Sequence, residues 1–135
     1  MKYPNETSDA RYKGDVSPIQ NALLKVGQLQ GVNFTWKQTE FPDKGFSSDI
    51  QMGLIAQQVE PVIPEVVYTD SSGYKSVEYS KLVALLIEAI KEQEKTIQIQ
   101  QSSILNLQSS IESLKLDIST LQQQDNQKKK SVAIK

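Results

Sequence analysis

Ser8 and Lys13 stand five residues apart in the run Ser8-Asp9-Ala10-Arg11-Tyr12-Lys13. A hydroxyl and an amine at that separation can serve as a nucleophile and its base. The sequence contains no histidine and no cysteine. That excludes a Ser-His-Asp triad, a thiol nucleophile and a His/Cys metal site. Serine with lysine is one of the few covalent arrangements left, and it needs neither cofactor nor metal. Spacing alone also admits a plainer reading, in which Ser8-Asp9 caps a turn and Lys13 is a solvated charge.

The chemistry sets its own demands. A serine hydroxyl is a poor nucleophile at neutral pH, and a free lysine, with a pKa of ~10.4, is almost fully protonated there. Burial disfavours the ammonium and makes the neutral amine available. Lys13 must therefore be desolvated on assembly, and Arg11 nearby would push the same way. Ring size then locates the cut. Attack of Ser8 on the carbonyl of Thr7 closes a five-membered ring, whereas attack on its own carbonyl closes a strained four-membered one. The expected scissile bond joins Thr7 to Ser8, with Ser8–Asp9 the lesser option. Water completes hydrolysis of the ester, and backbone N–H groups are the default oxyanion donors.

The elements that must hold this pair come from a chain of 135 residues, 38% hydrophobic, with 15 basic and 16 acidic side chains and a net charge of -1. That balance gives no general attraction to nucleic acid or to anionic membranes. Lys128-Lys129-Lys130 is a short basic run in the tail, read as solvated. No apolar stretch approaches a membrane span, and the first residues lack a signal peptide's apolar core. The chain reads as soluble and made in a cytoplasm.

Ser17-Pro18 reads as the cap and first position of a helix, with Ile19, Ala22, Leu23, Val26 and Leu29 on one face and Gly31 as its stop. Val32 to Trp36 alternates like a half-buried strand. Residues 37–49 read as a loop, Ile50 to Leu54 as a short strand and Ala56 to Val59 as a short helix closed by Pro61. Val66-Val67-Tyr68 and Tyr74 to Val77 flank a glycine-containing loop and predict a β-hairpin. Trp36, Phe34 and Tyr79 are expected in the core. Gln57 and Gln58 are expected to support local structure, and Glu60 and Glu65 form no credible acid/base pair.

From Tyr79 the period changes. Val83, Ile90, Ile97, Ile104, Ile111 and Ile118 recur every seven residues, and Leu86, Gln93, Gln100, Leu107, Leu114 and Leu121 follow three places behind. These are the a and d positions of a coiled coil spanning residues 79–122, on the order of 65 Å of helix. Outside this run roughly 80 residues remain, a core that is marginal alone. So small a domain cannot cover the stripe, so the stripe should meet copies of itself. Ile at a with Leu at d leans towards two strands; Gln93 and Gln100 weaken that inference. The polar residues 123–135 read as a flexible tail. The fold class is therefore α+β: a small mixed domain with a β-hairpin and short helices, then a long C-terminal coiled-coil helix.

The ordered motifs resemble a known family. SDARYK at 8–13 is followed by the Pro18 helix, GVNFTW at 31–36, GLIAQQVE at 53–60, IPEVV at 63–67, GYKSVEYSKL at 73–82 and LLIEAIKEQ at 85–93. The series is similar to the intramolecular chaperone auto-processing domain at the C-terminus of phage tailspike and tail-fibre proteins of the endosialidase type. A related domain occurs in a membrane-tethered transcription factor family of animals. The resemblance covers residues 8–95. It implies a homotrimer, a count that the seam alone leaves open between two and three strands. It also implies assistance in assembling the fibre or spike fused upstream, followed by self-cleavage in cis.

The family's catalytic pair falls on Ser8 and Lys13, with Asp9 and Arg11 matching as supporting residues. Residues 1–7 would be a remnant of the upstream client or an appended segment. The resemblance places assembly in the cytoplasm of the producing cell and the client in a virion tail fibre. A non-cleaving trimerisation and capping module is the alternative on the same fold.

Overall fold

The computed structural model describes residues 7–134; residues 1–6, most of the expected upstream remnant, lie outside the described residues. The chain divides into two compact units, one ending at Lys91 and one beginning at Glu92. In order along the chain, the elements are α1 (Ala22–Gly27), β1 (Val32–Phe34), β2 (Gln51–Gly53), α2 (Ala56–Val59), β3 (Val67–Thr69), β4 (Lys75–Val77) and α3 (Tyr79–Ala133), with short 3-10 turns at Ala10–Tyr12, Pro42–Lys44 and Pro64–Val66. The mixed α+β class is as the sequence pattern indicates. The strands form two separate antiparallel pairs, β1 with β2 and β3 with β4.

In β1, Val32 and Phe34 turn to the half-buried face and Asn33 to solvent, as strand alternation requires. Val32 pairs with Gly53 and Phe34 with Gln51. Gly53 is needed for space: a Cβ there would lie 2.6 Å from the Tyr79 hydroxyl and 3.4 Å from Phe34 Cε1. That hydroxyl accepts a 2.8 Å hydrogen bond from the backbone N–H of Leu54. The first residue of α3 is thereby tied to the end of β2. Gly53→Ala should displace Tyr79 and destabilise the domain by about 1–3 kcal/mol, read as a lower thermal midpoint. Adding Tyr79→Phe should cost less on the Gly53→Ala background than on the wild type, because the clash removes the same bond. Strictly additive losses would dismiss the steric account.

The β3–β4 hairpin pairs Val67 with Val77, Tyr68 with Ser76 and Thr69 with Lys75. Its tip is built around Asp70, whose Oδ1 accepts from the N–H groups of Ser72 and Tyr74, both at 2.9 Å. Gly73 sits at φ 85°, the left-handed region that glycine enters without a side-chain clash. Lys75 reaches from β4 to Glu60 at 2.8 Å, just past α2.

Ala22, Val59, Ile63, Val66, Leu82, Leu85 and Ala89 form one buried cluster, bordered by Leu23, Val26, Leu29, Leu54, Val62, Val67 and Val77. The core is small and aliphatic. The aromatic side chains expected inside it sit around it instead: Trp36 and Tyr79 are exposed and Phe34 is half-buried. Trp36 stacks on Phe46, with ring centroids 4.2 Å apart, and meets Phe34 edge-on. This outer aromatic layer ends β1 at Phe34, two residues before the alternation does.

The first helix also differs. Asn21 adopts a left-handed conformation at φ 55°, so no α-helix can run through it. The helix starts at Ala22, which is fully buried, and Ser17 and Pro18 belong to the exposed strand of chain before it. The cap signal at Ser17 is overridden because the core holds Ala22 rather than Ile19.

Helix α3 carries two apolar faces. Leu82, Leu85 and Ala89 enter the core. The heptad residues Val83, Leu86 and Ile90 lie off that face and are exposed. Beyond Lys91 no described residue is buried. The ten apolar a and d side chains from Val83 to Leu121 are 46–64% exposed in the single chain. The helix also runs on past Gln122 to Ala133, through the segment read as a flexible tail, and Lys129 pairs with Asp125 there at 2.7 Å.

Candidate functional site

The segment before α1 forms a single 3-10 turn, Ala10–Tyr12, with Asp9 as N-cap and Lys13 as C-cap. Asp9 shapes it. Its Oδ1 accepts from the Arg11 backbone N–H at 2.9 Å and from Arg11 Nε at 3.0 Å, and its Oδ2 accepts from Arg11 Nη2 at 2.7 Å. The turn closes through Tyr12 N–H to the Asp9 carbonyl and Lys13 N–H to the Ala10 carbonyl, both at 3.1 Å. An aspartate cap with a forked arginine two residues on is therefore a local clamp.

The clamp folds the chain back so that its two ends meet. Lys13 Nζ donates to Ser8 Oγ at 2.7 Å. The distance is within the reach expected of a base and its nucleophile. Thr7, whose carbonyl is the expected target, directly precedes Ser8 and is exposed, as is every residue from 7 to 21.

The Arg11 guanidinium holds the Asp9 carboxyl below its ordinary range, first through the side-chain bond and then through the backbone bond, and Asp9 raises Arg11 in return. For a depressed carboxyl the stabilising pair is fully present above the ordinary carboxylate pKa of ~3.9 and is lost as pH falls through the lowered value. The clamp is thus intact at neutral pH and opens only in acid.

The geometry brings Ser8, Asp9, Arg11 and Lys13 into one turn, with Thr7 adjacent. It does not bury Lys13 in the single chain. Just downstream, Ser17, Pro18 and Ile19 line a shallow groove with Ala84, Ile87 and Glu88 of α3. The segment that carries the pair therefore leads along the flank of the helix beside Val83, Leu86 and Ile90. Spacing on the helix could have hinted at that flank; the left-handed Asn21 that steers the chain there could not be read from residue type.

A second feature escaped the sequence reading. An open cavity of about 530 Å³ is lined by Trp36, Phe41, Phe46 and Tyr74 with Lys37, Lys44 and Lys75 at its edge. It is assembled from Thr35 and Trp36 after β1, the loop 37–49, and Tyr74 and Lys75 where β4 begins, which no single motif joins. None of Thr7 to Lys13 lines it.

Comparison with known proteins adds to this geometry. A peptidase family described as chaperone of endosialidase matches residues 8–68. The long tail fiber proteins of Enterobacteria phages K3 and T2 are each 39% identical over 88 residues, covering 62% of this chain and 7% and 6% of theirs. The long tail fiber protein of Salmonella phage S16 is 30% identical over 96 residues, covering 69% of this chain and 13% of its own. The chain thus spans a small fraction of the length of the curated relatives it matches. Over residues 8–68, the segment that opens at Ser8, the chain is similar to the chaperone of endosialidase family.

Proposed function

We propose that this chain is a C-terminal assembly domain of a phage-type tail fibre, which gathers three copies through α3 and then severs itself from its client between Thr7 and Ser8. The observation that carries the reading is the 2.7 Å contact of Lys13 Nζ with Ser8 Oγ inside the Asp9–Arg11 clamp. The family match beginning at Ser8 supports the same boundary.

The step balances within the chain. The neutral Lys13 amine takes the Ser8 hydroxyl proton as Oγ attacks the Thr7 carbonyl carbon. The tetrahedral intermediate then breaks its bond to the Ser8 nitrogen, which receives the proton from Lys13. Water hydrolyses the resulting ester, leaving a carboxylate on Thr7 and a free amine on Ser8. One turnover per chain needs no pocket for a separate substrate.

Desolvation of Lys13 must come from outside the single chain, since residues 7–21 are exposed. A neighbouring copy seated on Val83, Leu86 and Ile90 would lie beside the groove that holds Ser17 to Ile19. Assembly would then cover the approach to the pair and time the cut. The exposure of Lys13 also favours a second reading, a trimerising cap that never cleaves. Mass spectrometry of the chain with its native upstream segment separates the two. A new N-terminus at Ser8 in the assembled protein is expected; an intact chain in a fully formed oligomer would favour the inert cap.

The clamp makes its own prediction. Asp9→Ala removes three hydrogen bonds to Arg11 without touching Ser8 or Lys13. Cleavage should slow on the order of tenfold, since small misplacements of reacting groups are costly. Oligomer size should stay the same. An unchanged rate would leave the clamp without a part in positioning.

A further inference from the structure

Of the twelve a and d positions between Val83 and Leu121, ten are apolar and two are glutamine. Both glutamines occupy d, one heptad apart at Gln93 and Gln100, with Ile97 between them. Both are exposed in the single chain, as is Gln98, whose amide bonds to Glu94 at 3.0 Å on the same helix. We propose that Gln93 and Gln100 fix the direction and register in which copies of this chain pair along α3. This rests on the self-association proposed above.

The argument is one of matching polar groups. When copies pack along the seam, each a and d residue is covered by the equivalent layer of its neighbours. An amide carries two donor hydrogens and an acceptor oxygen, and burying it without partners is costly. In a parallel, in-register assembly Gln93 meets Gln93 and Gln100 meets Gln100. Each amide then offers its donors to its neighbour's oxygen, in two layers about 10 Å apart along the helix.

The alternatives lose those partners. A slip of one heptad sets Gln93 of one copy against Gln100 of the next. It leaves the other two glutamines facing Leu86 and Leu107. An antiparallel arrangement with full overlap pairs Val83 with Leu121, Leu86 with Ile118 and Ile90 with Leu114, so the apolar layers still match. It places Gln93 against Ile111 and Gln100 against Ile104, and no amide has a partner. The apolar residues alone thus tolerate either direction, and the two glutamines discriminate. Direction matters because only parallel helices bring every copy's Tyr79, where the helix leaves the folded domain, to the same end.

The absence of cysteine makes the test clean. Full-length chains carrying Leu121→Cys, and others carrying Val83→Cys, are mixed, oxidised and scored for covalent pairs. With the glutamines present, Leu121→Cys chains should link to one another and not to Val83→Cys chains. In a Gln93→Leu/Gln100→Leu background the mixed link should rise at least tenfold, together with a higher thermal midpoint. A background without glutamine that still forms only the parallel link would overturn the proposal, as would mixed links in the parent chain. No link in any combination, with a monomeric mass by light scattering, would overturn the self-association itself and this proposal with it.

Discussion

Ser8→Ala, in a chain that carries its native upstream segment, is expected to remain full length and to assemble as the parent does. The loss should be complete on the scale of the assay, at least a thousandfold in rate, because the proposed step has Ser8 Oγ as its nucleophile and nothing to replace it in the alanine variant. Lys13→Ala should be equally inert. Lys13→Arg is the sharper variant. It keeps the positive charge and much of the length, yet a guanidinium does not give up its proton at any ordinary pH. A surface role for Lys13, as a hydrogen-bond donor to Ser8 Oγ, would survive that change; a role as base would not. Denaturing mass spectrometry reports the cut, and light scattering on the same sample reports assembly. Full processing by Lys13→Arg would rule out proton abstraction by this residue, even with the 2.7 Å contact in place.

The parts of this protein that can be read from residue order are those in which local chemistry and final environment agree. Ala56 to Val59 is a helix with the bounds its sequence suggests, and the tip at Asp70 to Gly73 needs a left-handed residue where glycine stands. The long helix is legible for the same reason: apolar residues recur at helical spacing from Val83 to Leu121, all within α3. Ser8 and Lys13 could be paired on motif, but the clamp that joins them depends on Asp9 bonding Arg11 three times, a geometry that spacing does not give. The misreadings lie where tertiary packing outweighs a local signal. Ser17-Pro18 is a good helix start in isolation, and the left-handed Asn21 cancels it. Trp36, Phe34 and Tyr79 look like core because they are large and apolar. The core is narrow and lined by Val59, Ile63, Leu82 and Leu85, so the rings pack on one another and on Gly53 outside it. The polar residues past Gln122 look like a tail, yet alanine, glutamine and lysine are good helix formers and carry α3 to Ala133.

Ile97→Asp combined with Ile104→Asp is expected to convert the assembly to monomer and to slow cleavage at least tenfold while Ser8 and Lys13 are untouched. Both isoleucines are a positions in the unit beginning at Glu92, and neither belongs to the core cluster. The folded domain should therefore survive, with its thermal transition retained in the monomer. In the assembly each aspartate would be buried in the seam beside its own copies. The desolvation cost is several kcal/mol per ion before like-charge repulsion is added. That is a large share of what an interface of this length supplies, and dissociation follows. The effect on cleavage then tests where Lys13 loses its water. In the single chain residues 7–21 are open to solvent, and Ser17 to Ile19 line one groove with Ile63, Val66, Lys81 and Leu85 and another with Ala84, Ile87 and Glu88 on the flank of the seam. If a neighbouring copy completes that cover, a monomer keeps the Asp9–Arg11 clamp and the serine–lysine contact but not the neutral amine. A monomer that cleaves at the parent rate would show that the turn is sufficient by itself. Coupling between assembly and release would then have to be abandoned.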